Sequence, residues 1–282
     1  MQLSESSIRE RSNSTGVPED DDLEGAKSSL KTGYGQTKWV SEKLLFEAGR
    51  RGLNGHILRP GYVVGDSKTA GGSHSFSFHQ IMRLTHFTSV TNTDDFIWRL
   101  VKGCVQLGLV PDINNTINMV PVDHVARCTS LAAVSPLPNA SLSVLHVTAR
   151  PLPTFNGMLS SLIQYGFPTE PCEYVVWRLR LERHVMDSQD NALFPLLHFV
   201  LDDLPTSTKA PELDDANTTA LLEQDQGRSR LTSTVDEPLM GLYLTWLVRA
   251  GFLPPPSLPS PQKALPTLAN TGVIKAAGRT GL

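Results

Sequence analysis

Tyr34 and Lys38, four positions apart, are of the types and at the spacing that suit proton transfer. Side chains at positions i and i+4 lie on the same face of a helix. A lysine ammonium next to a phenol stabilises the phenolate, so the tyrosine becomes a usable proton donor or acceptor near neutral pH. We therefore predict that this pair protonates a carbonyl oxygen while the carbonyl carbon receives a hydride.

A Tyr-Lys pair at this spacing also occurs by chance on helix surfaces, so the spacing alone is a weak indication of catalysis. The elements predicted around the pair support the catalytic interpretation. The apolar period over residues 33–51 predicts a helix whose apolar side includes Val40, Leu44 and Leu45. Residues 56–64 then predict a strand with a Pro-Gly interruption. A helix followed by such a strand is half of a β-α-β unit, and open α/β sheets bind ligands at the carboxyl ends of their strands.

The chain divides by composition into segments of different character. Residues 1–32 are polar and predicted to form a loop or a disordered start that contains a solvated acidic run. Residues 33–176 predict alternating strands and helices, and residues 177–253 are predicted to be mainly helical. The tail, residues 254–282, is rich in Pro and then in Ala and Gly, and we expect it to be disordered. Residues 73–90 show neither period and are interpreted as an insertion.

Two helix starts carry aspartates that are predicted to act as N-caps. Asp94 or Asp95 is expected to cap a helix over residues 96–107. Asp123 is expected to cap a helix over residues 124–134, and this role is preferred to a catalytic pair with the histidine that follows it.

The composition argues against several other functions. A net charge of −3 gives no electrostatic reason to expect a nucleic-acid partner. The longest apolar runs are too short for a membrane span. Three widely spaced cysteines fit neither a disulfide framework nor a zinc site, and a reducing, cytoplasmic compartment is the simplest interpretation. The three histidines within residues 73–90 are not one helical turn apart, so we predict no metal site.

Several motifs of the chain resemble a known family. Residues 33–39 (GYGQTKW) and 58–65 (LRPGYVVG) look like those of extended short-chain dehydrogenases/reductases. Further segments resemble the thioester-reductase domains of carrier-linked reductases, namely residues 91–96, 103–112, 118–127, 191–215 and 251–256. Of these, residues 191–215 and 251–256 are similar to the large aminoadipate reductases of fungal lysine synthesis. The resemblance covers residues 33 to about 256 and implies an α/β fold, the C-terminal part of a Rossmann-like reductase with a helical substrate subdomain.

The resemblance also implies a reaction and the residues that serve it. NADPH is expected to reduce an aminoadipoyl thioester, held on the phosphopantetheine arm of a carrier domain, to aminoadipate semialdehyde. Tyr34 is expected to donate the proton, and Lys38 to hold the nicotinamide ribose and stabilise the phenolate. Four further residues are expected to line the nicotinamide end of the cofactor, namely Pro60, Gly61, Tyr62 and Val63.

The chain departs from the family pattern ahead of Tyr34. No G-x-x-G-x-x-G turn, which holds the cofactor pyrophosphate in complete domains, precedes that residue. The first strands, the catalytic Ser or Thr, and the adenylation and carrier domains expected upstream are also missing, so we expect exposed apolar surface and no turnover by this chain alone. Residues 73–90 are hypothesised to be a translated intron. Another extended reductase, a sugar-nucleotide epimerase and a non-catalytic remnant are the alternatives.

Overall fold

The computed structural model describes most of the chain, namely residues 16–30, 32–70, 89–135, 142–187, 190–202, 204, 209–225, 232–268 and 274–277. Its helices are α1 (Gly33–Arg50), α2 (Phe96–Leu107), α3 (Val122–Val134), α4 (Phe155–Gln164), α5 (Tyr174–Asp187), α6 (Leu197–Asp202), α7 (Ala216–Glu223) and α8 (Glu237–Arg249). Its strands are β1 (Gly55–Pro60), β2 (Tyr62–Val64), β3 (Ser89–Asn92), β4 (Leu109–Asp112), β5 (Met119–Pro121), β6 (Leu142–Val147), β7 (Glu170–Glu173) and β8 (Ile274–Ala277). None of these helices is both long and apolar enough to cross a membrane.

The strands pair mostly in parallel. β1 pairs with β6, β3 with β8 and β4 with β7 in parallel, and β2 pairs with β5. In the β1–β6 pair, Ile57 lies opposite Val144 and Pro60 lies opposite Val147. Parallel neighbours require a crossover connection, which helices usually provide. The pairing confirms the α/β class that the sequence predicted.

The chain forms two units that interleave along the sequence. The first unit lies within residues 1–63, 117–152 and 207–234, and the second within residues 64–116, 153–206 and 235–282. In the first unit, helices α3 and α7 pack on the β1–β6 pair. The division predicted from the sequence, with boundaries at residues 176 and 253, follows chain order and stays a prediction.

Helix α1 carries the predicted proton-transfer pair, and its end residues explain its bounds. The Thr32 hydroxyl accepts a hydrogen bond from the backbone N–H of Gly35 at 3.2 Å, which caps the first turn. Gly52 follows the last turn with a φ of 99°, a conformation that favours glycine. The helix predicted over residues 33–51 is therefore confirmed.

The apolar face predicted for α1 faces solvent. Val40, Leu44 and Leu45 have exposed fractions of 48%, 66% and 42%. The opposite side half-buries Trp39, whose indole N–H donates to the backbone oxygen of Leu23 at 2.8 Å. The predicted apolar side of α1 therefore lies on its solvent-exposed surface.

The described part of the first 32 residues differs from the predicted solvated loop. Val17, Leu23 and Ala26 form a buried cluster against which Trp39 packs. Glu19, from the acidic run, is only 3% exposed. The prediction of a solvated run was wrong at this residue because three hydrogen-bond donors satisfy its carboxylate, which makes its burial tolerable.

One of the two predicted N-caps is confirmed. The carboxylate of Asp95 accepts from the backbone N–H of Ile97 at 3.0 Å and caps α2. The other prediction was wrong, since α3 begins at Val122 with Pro121 as its N-cap residue. Asp123 lies inside the first turn, where a negative charge still favours the helix dipole.

The described part of the Pro-rich tail is hydrogen-bonded to the second unit, and the disorder expected of residues 254–282 stays a prediction. Residues 254–268 form neither helix nor strand. The backbone N–H groups of Ser257 and Leu258 both donate to the backbone oxygen of Gly166 at 3.0 Å. Proline has no backbone N–H, so a Pro-rich segment forms few backbone hydrogen bonds of its own. The N–H groups of its other residues therefore donate to backbone oxygens elsewhere in the second unit.

The predicted insertion, residues 73–90, falls mainly outside the described residues. Ser89 and Val90 begin strand β3. The hypothesis of a translated intron, and the three histidines that it contains, therefore stay predictions.

Candidate active site

Tyr34 and Lys38 occupy one face of the first turns of α1. The Lys38 ammonium lies 5.5 Å from the centroid of the Tyr34 ring, over its face. This geometry is a cation–π contact, which places the positive charge beside the phenol. Tyr34 is 69% exposed and Lys38 is also exposed, so both side chains are accessible to a ligand. Their catalytic roles stay predictions.

The four residues predicted to line the nicotinamide follow directly from the carboxyl end of β1. Pro60, Gly61 and Tyr62 are half-buried, and Val63 is 42% exposed. Two backbone hydrogen bonds hold this turn in the first unit: Gly61 N–H donates to a β6 carbonyl at 3.1 Å, and Tyr62 N–H donates to the backbone oxygen of Asn118 at 2.7 Å. The turn is therefore a fixed feature of the strand end.

Gly61 is required by the protein itself. A Cβ atom at this position would lie 2.3 Å from the backbone oxygen of Asn118 and 2.5 Å from its side-chain Cγ. The Asn118 side chain is in turn held, because its Oδ1 accepts from Ala149 N–H at 2.8 Å and from the Thr148 hydroxyl at 3.1 Å. Close packing of Asn118 explains the glycine, and a cofactor-lining role for it stays a prediction.

A buried ion pair ties the helix of the tyrosine to the strand of the Pro-Gly turn. Arg59 of β1 is 7% exposed and Glu42 of α1 is 11% exposed. The Arg59 Nε donates to Glu42 Oε1 at 3.0 Å, and its Nη2 makes a second contact with the same carboxylate. Arg59 also donates to the backbone oxygen of Asp21 at 2.8 Å. The Arg59 Nη1 lies 3.1 Å from His146 Nε2. The guanidinium therefore makes four contacts with three acceptor atoms, which come from three other chain segments.

His146 completes this network on strand β6. Its Nδ1 donates to the backbone oxygen of Asp214 at 2.7 Å, so Nε2 is the acceptor for Arg59. The ring is 1% exposed, and burial lowers the pKa of His146 below its ordinary value, with the nearby Arg59 charge acting in the same direction. His146 is therefore a neutral structural group at physiological pH.

Glu19 brings the N-terminal segment into the same region. Its carboxylate accepts from the backbone N–H of His146 at 2.7 Å, from Asn217 N–H at 2.6 Å and from the Thr218 hydroxyl at 3.2 Å. Burial raises the pKa of Glu19, although these hydrogen bonds oppose the shift. The segment that precedes α1 is thus fastened to β6 and α7.

The described residues suit one end of a nicotinamide cofactor. Tyr34 and Lys38 offer exposed polar groups for a ribose and a carbonyl oxygen. A pyrophosphate instead needs a Gly-rich turn that opens a helix. Gly49, Gly52 and Gly55 have the spacing G-x-x-G-x-x-G, but they connect the end of α1 to β1 and therefore do not open a helix. The fit is therefore limited to the nicotinamide-ribose end.

Reasoning from the sequence missed three residues of this region. The sequence did contain a signal for acceptors such as Glu42 and His146. Arg59 lies in an apolar strand, and a buried guanidinium needs a carboxylate or another acceptor. Asn118 had none, since only the packed structure shows that it fills the space beside Gly61.

Comparisons with known proteins agree with this fold. The family model described as "Male sterility protein", an NAD-binding family, matches residues 2–129. L-2-aminoadipate reductase of Schizosaccharomyces pombe is 49% identical over 86% of this chain, and the match spans 16% of that protein. The terminal R domain of the myxalamid PKS-NRPS pathway superposes with a TM-score of 0.67 at 30% identity, over 87% of this chain and 56% of that one. A thiolation-reductase di-domain from an archaeal non-ribosomal peptide synthetase shares the fold, with a TM-score of 0.62 at 14% identity.

The chain has the α/β fold of extended short-chain dehydrogenases/reductases and is similar to solved reductase domains of this class. Within this class, its sequence is homologous over about nine-tenths of its length to part of the L-2-aminoadipate reductases, at 40–49% identity. The chain spans less than a fifth of the length of these curated relatives.

Proposed function

We propose that this chain forms the proton-donating and substrate-side part of a reductase that releases a carrier-bound aminoadipoyl thioester as aminoadipate semialdehyde. The observation that carries the proposal is the accessible Tyr34 phenol with the Lys38 ammonium 5.5 Å from its ring centroid. The homology to L-2-aminoadipate reductases supports the choice of substrate and of a carrier domain as partner.

The chain's residues handle the proton of this reaction. NADPH, when bound, supplies a hydride to the thioester carbonyl carbon. The Tyr34 hydroxyl donates its proton to the carbonyl oxygen as negative charge develops there, and Lys38 stabilises the phenolate that remains. The resulting hemithioacetal breaks its C–S bond to give the aldehyde and the free phosphopantetheine thiol. The Arg59–Glu42 pair holds α1 against β1 while this occurs.

Binding of NADPH by this chain alone is proposed to be weak. Tyr34 and Lys38 would hold only the ribose and nicotinamide end of the cofactor, and the sequence has no Gly-rich turn ahead of Tyr34 to hold the phosphates. Titration of the purified chain with NADPH tests this point, because a micromolar Kd contradicts it. A non-catalytic remnant is the second candidate, and the solvent-exposed apolar side of α1 (Val40, Leu44 and Leu45) is the observation that favours it.

A chimera decides between the two candidates. Residues 33–256 of this chain replace the matching segment of the S. pombe L-2-aminoadipate reductase, and NADPH oxidation with aminoadipate is measured. We expect an active chimera in which Tyr34→Phe lowers kcat by about 10²- to 10⁴-fold, since the general acid is lost. Ser41→Ala, which removes an exposed hydroxyl from the same helix, is the control and is expected to leave kcat unchanged.

Two results contradict the proposal in different ways. An inactive chimera with intact Tyr34 and normal folding supports the non-catalytic remnant. An active chimera in which Tyr34→Phe behaves like Ser41→Ala rejects the role of the tyrosine in proton donation.

A further inference from the structure

Asn118 lies against the Pro-Gly turn that follows β1, and it contacts this turn through both its backbone and its side chain. Its backbone oxygen accepts a hydrogen bond from the N–H of Tyr62 at 2.7 Å. A Cβ atom added at Gly61 would lie 2.3 Å from the same oxygen and 2.6 Å from the Asn118 Oδ1. The backbone of Gly61 is therefore in contact with Asn118, and the hydrogen bond fixes the residue that follows it.

The Asn118 side chain is itself fixed by residues that follow strand β6. Its Oδ1 accepts from the backbone N–H of Ala149 at 2.8 Å and from the Thr148 hydroxyl at 3.1 Å. Asn118 is 8% exposed and Thr148 is 5% exposed. Loss of this acceptor would leave two buried donors unpaired, which costs more than the loss of an exposed hydrogen bond. Asn118 thus joins the carboxyl ends of β1 and β6.

Both central N–H groups of the turn bond to the protein itself. The Gly61 N–H donates to the backbone oxygen of Val147 at 3.1 Å, and the Tyr62 N–H donates to Asn118. Each backbone N–H supplies one hydrogen. These two groups therefore shape the turn, and a ligand would meet the turn as a packing surface.

We propose that Asn118 is a positioning residue for the nicotinamide end of the cofactor. It acts through the turn, residues 60–63, which it holds in one conformation before the cofactor binds. The proposal rests on the proposed function, in which this turn lines the nicotinamide. A surface that is already ordered loses less conformational freedom on binding. Loss of Asn118 therefore weakens cofactor binding, while Tyr34, which lies on α1, keeps its place.

Two substitutions of Asn118 test the acceptor. Asn118→Ala removes it together with the side-chain contact to Gly61. Asn118→Asp keeps an oxygen at the same position, and both groups that bond to this oxygen are donors, so a carboxylate accepts from them as well. Asn54→Ala makes the same chemical change as Asn118→Ala at an exposed position of the first unit, and it is the matched control.

Amide hydrogen exchange of the whole chain, without cofactor, measures the turn directly. We expect Asn118→Ala to raise the exchange rate of the Tyr62 N–H by about tenfold, because the loss of two hydrogen bonds loosens the residue that accepts from it. Asn118→Asp and Asn54→Ala are expected to stay within about twofold of the unmodified chain. Unchanged exchange in Asn118→Ala overturns the proposal. An equal rise over α1 also overturns it, since Asn118 would then support the whole unit rather than the turn.

Kinetics of the chimera measure the consequence for the cofactor. We expect Asn118→Ala to raise KM for NADPH by about tenfold and to change kcat by less than about threefold, with Asn118→Asp restoring KM. Simple destabilisation would instead lower kcat through the folded fraction and leave KM unchanged, and that result overturns the proposal. An inactive unmodified chimera rejects the cofactor role together with the proposed function, whereas the exchange result still decides whether Asn118 holds the turn.

Discussion

Replacement of Glu42 by alanine tests whether the buried ion pair holds α1 in place. In the folded chain, the side chains of Arg59 and Glu42 are 7% and 11% exposed. Among the described residues, Glu42 is the carboxylate that pairs with Arg59, so its loss leaves the guanidinium buried without this opposite charge. Removal of one partner from a buried ion pair typically lowers the free energy of unfolding by about 3–5 kcal/mol.

The structure places the expected loss at the lower end of that range. Arg59 keeps its hydrogen bonds to the backbone oxygen of Asp21 at 2.8 Å and to His146 Nε2 at 3.1 Å. Each such bond contributes about 0.5–1.5 kcal/mol. We therefore expect a loss of about 3 kcal/mol, which corresponds to a decrease of about 1 M in the urea midpoint for an m-value of about 3 kcal/mol/M.

Glu47→Ala provides the matched control on the same helix. Glu47 pairs with Arg50 and Arg51, but the side chains of these arginines are 78% exposed. Solvent screens such pairs, so the control is expected to lose less than about 1 kcal/mol. Urea unfolding followed by far-UV circular dichroism and tryptophan fluorescence measures both variants. Equal midpoints for Glu42→Ala and Glu47→Ala would refute the reasoning from burial.

Two further predictions concern the strand ends. Gly61→Ala is expected to cost about 1–3 kcal/mol of unfolding free energy, because its Cβ would lie 2.3 Å from the backbone oxygen of Asn118. Gly33→Ala, at a position with open space, is the control and should be neutral or slightly stabilising in the same urea series. Burial lowers the pKa of His146 in the folded state, so unfolded chains take up more protons as pH falls below about 6.5, and stability present above that pH is lost. His146→Asn, which can keep the hydrogen bond to Asp214, should flatten this part of the stability–pH curve, and an unchanged slope rejects the assignment.

The sequence determined the elements whose signals are local. The helix over residues 33–51, the strand with its Pro-Gly interruption and the cap at Asp95 were predicted because apolar periods and capping residues act within a few positions. The same local rules placed Tyr34 and Lys38 on one face, and the 5.5 Å contact in the structure agrees with that. The cap predicted at Asp123 failed because a proline one residue before α3 already fixes the entry of the chain.

Only the tertiary structure decided which polar residues are buried and why. Glu19 looked like part of a solvated acidic run, and its three hydrogen-bond donors come from residues more than a hundred positions away. Glu42 and His146 join Arg59 through contacts between three chain segments. No local pattern encodes such contacts, since burial of a charge is permitted only when distant partners arrive together.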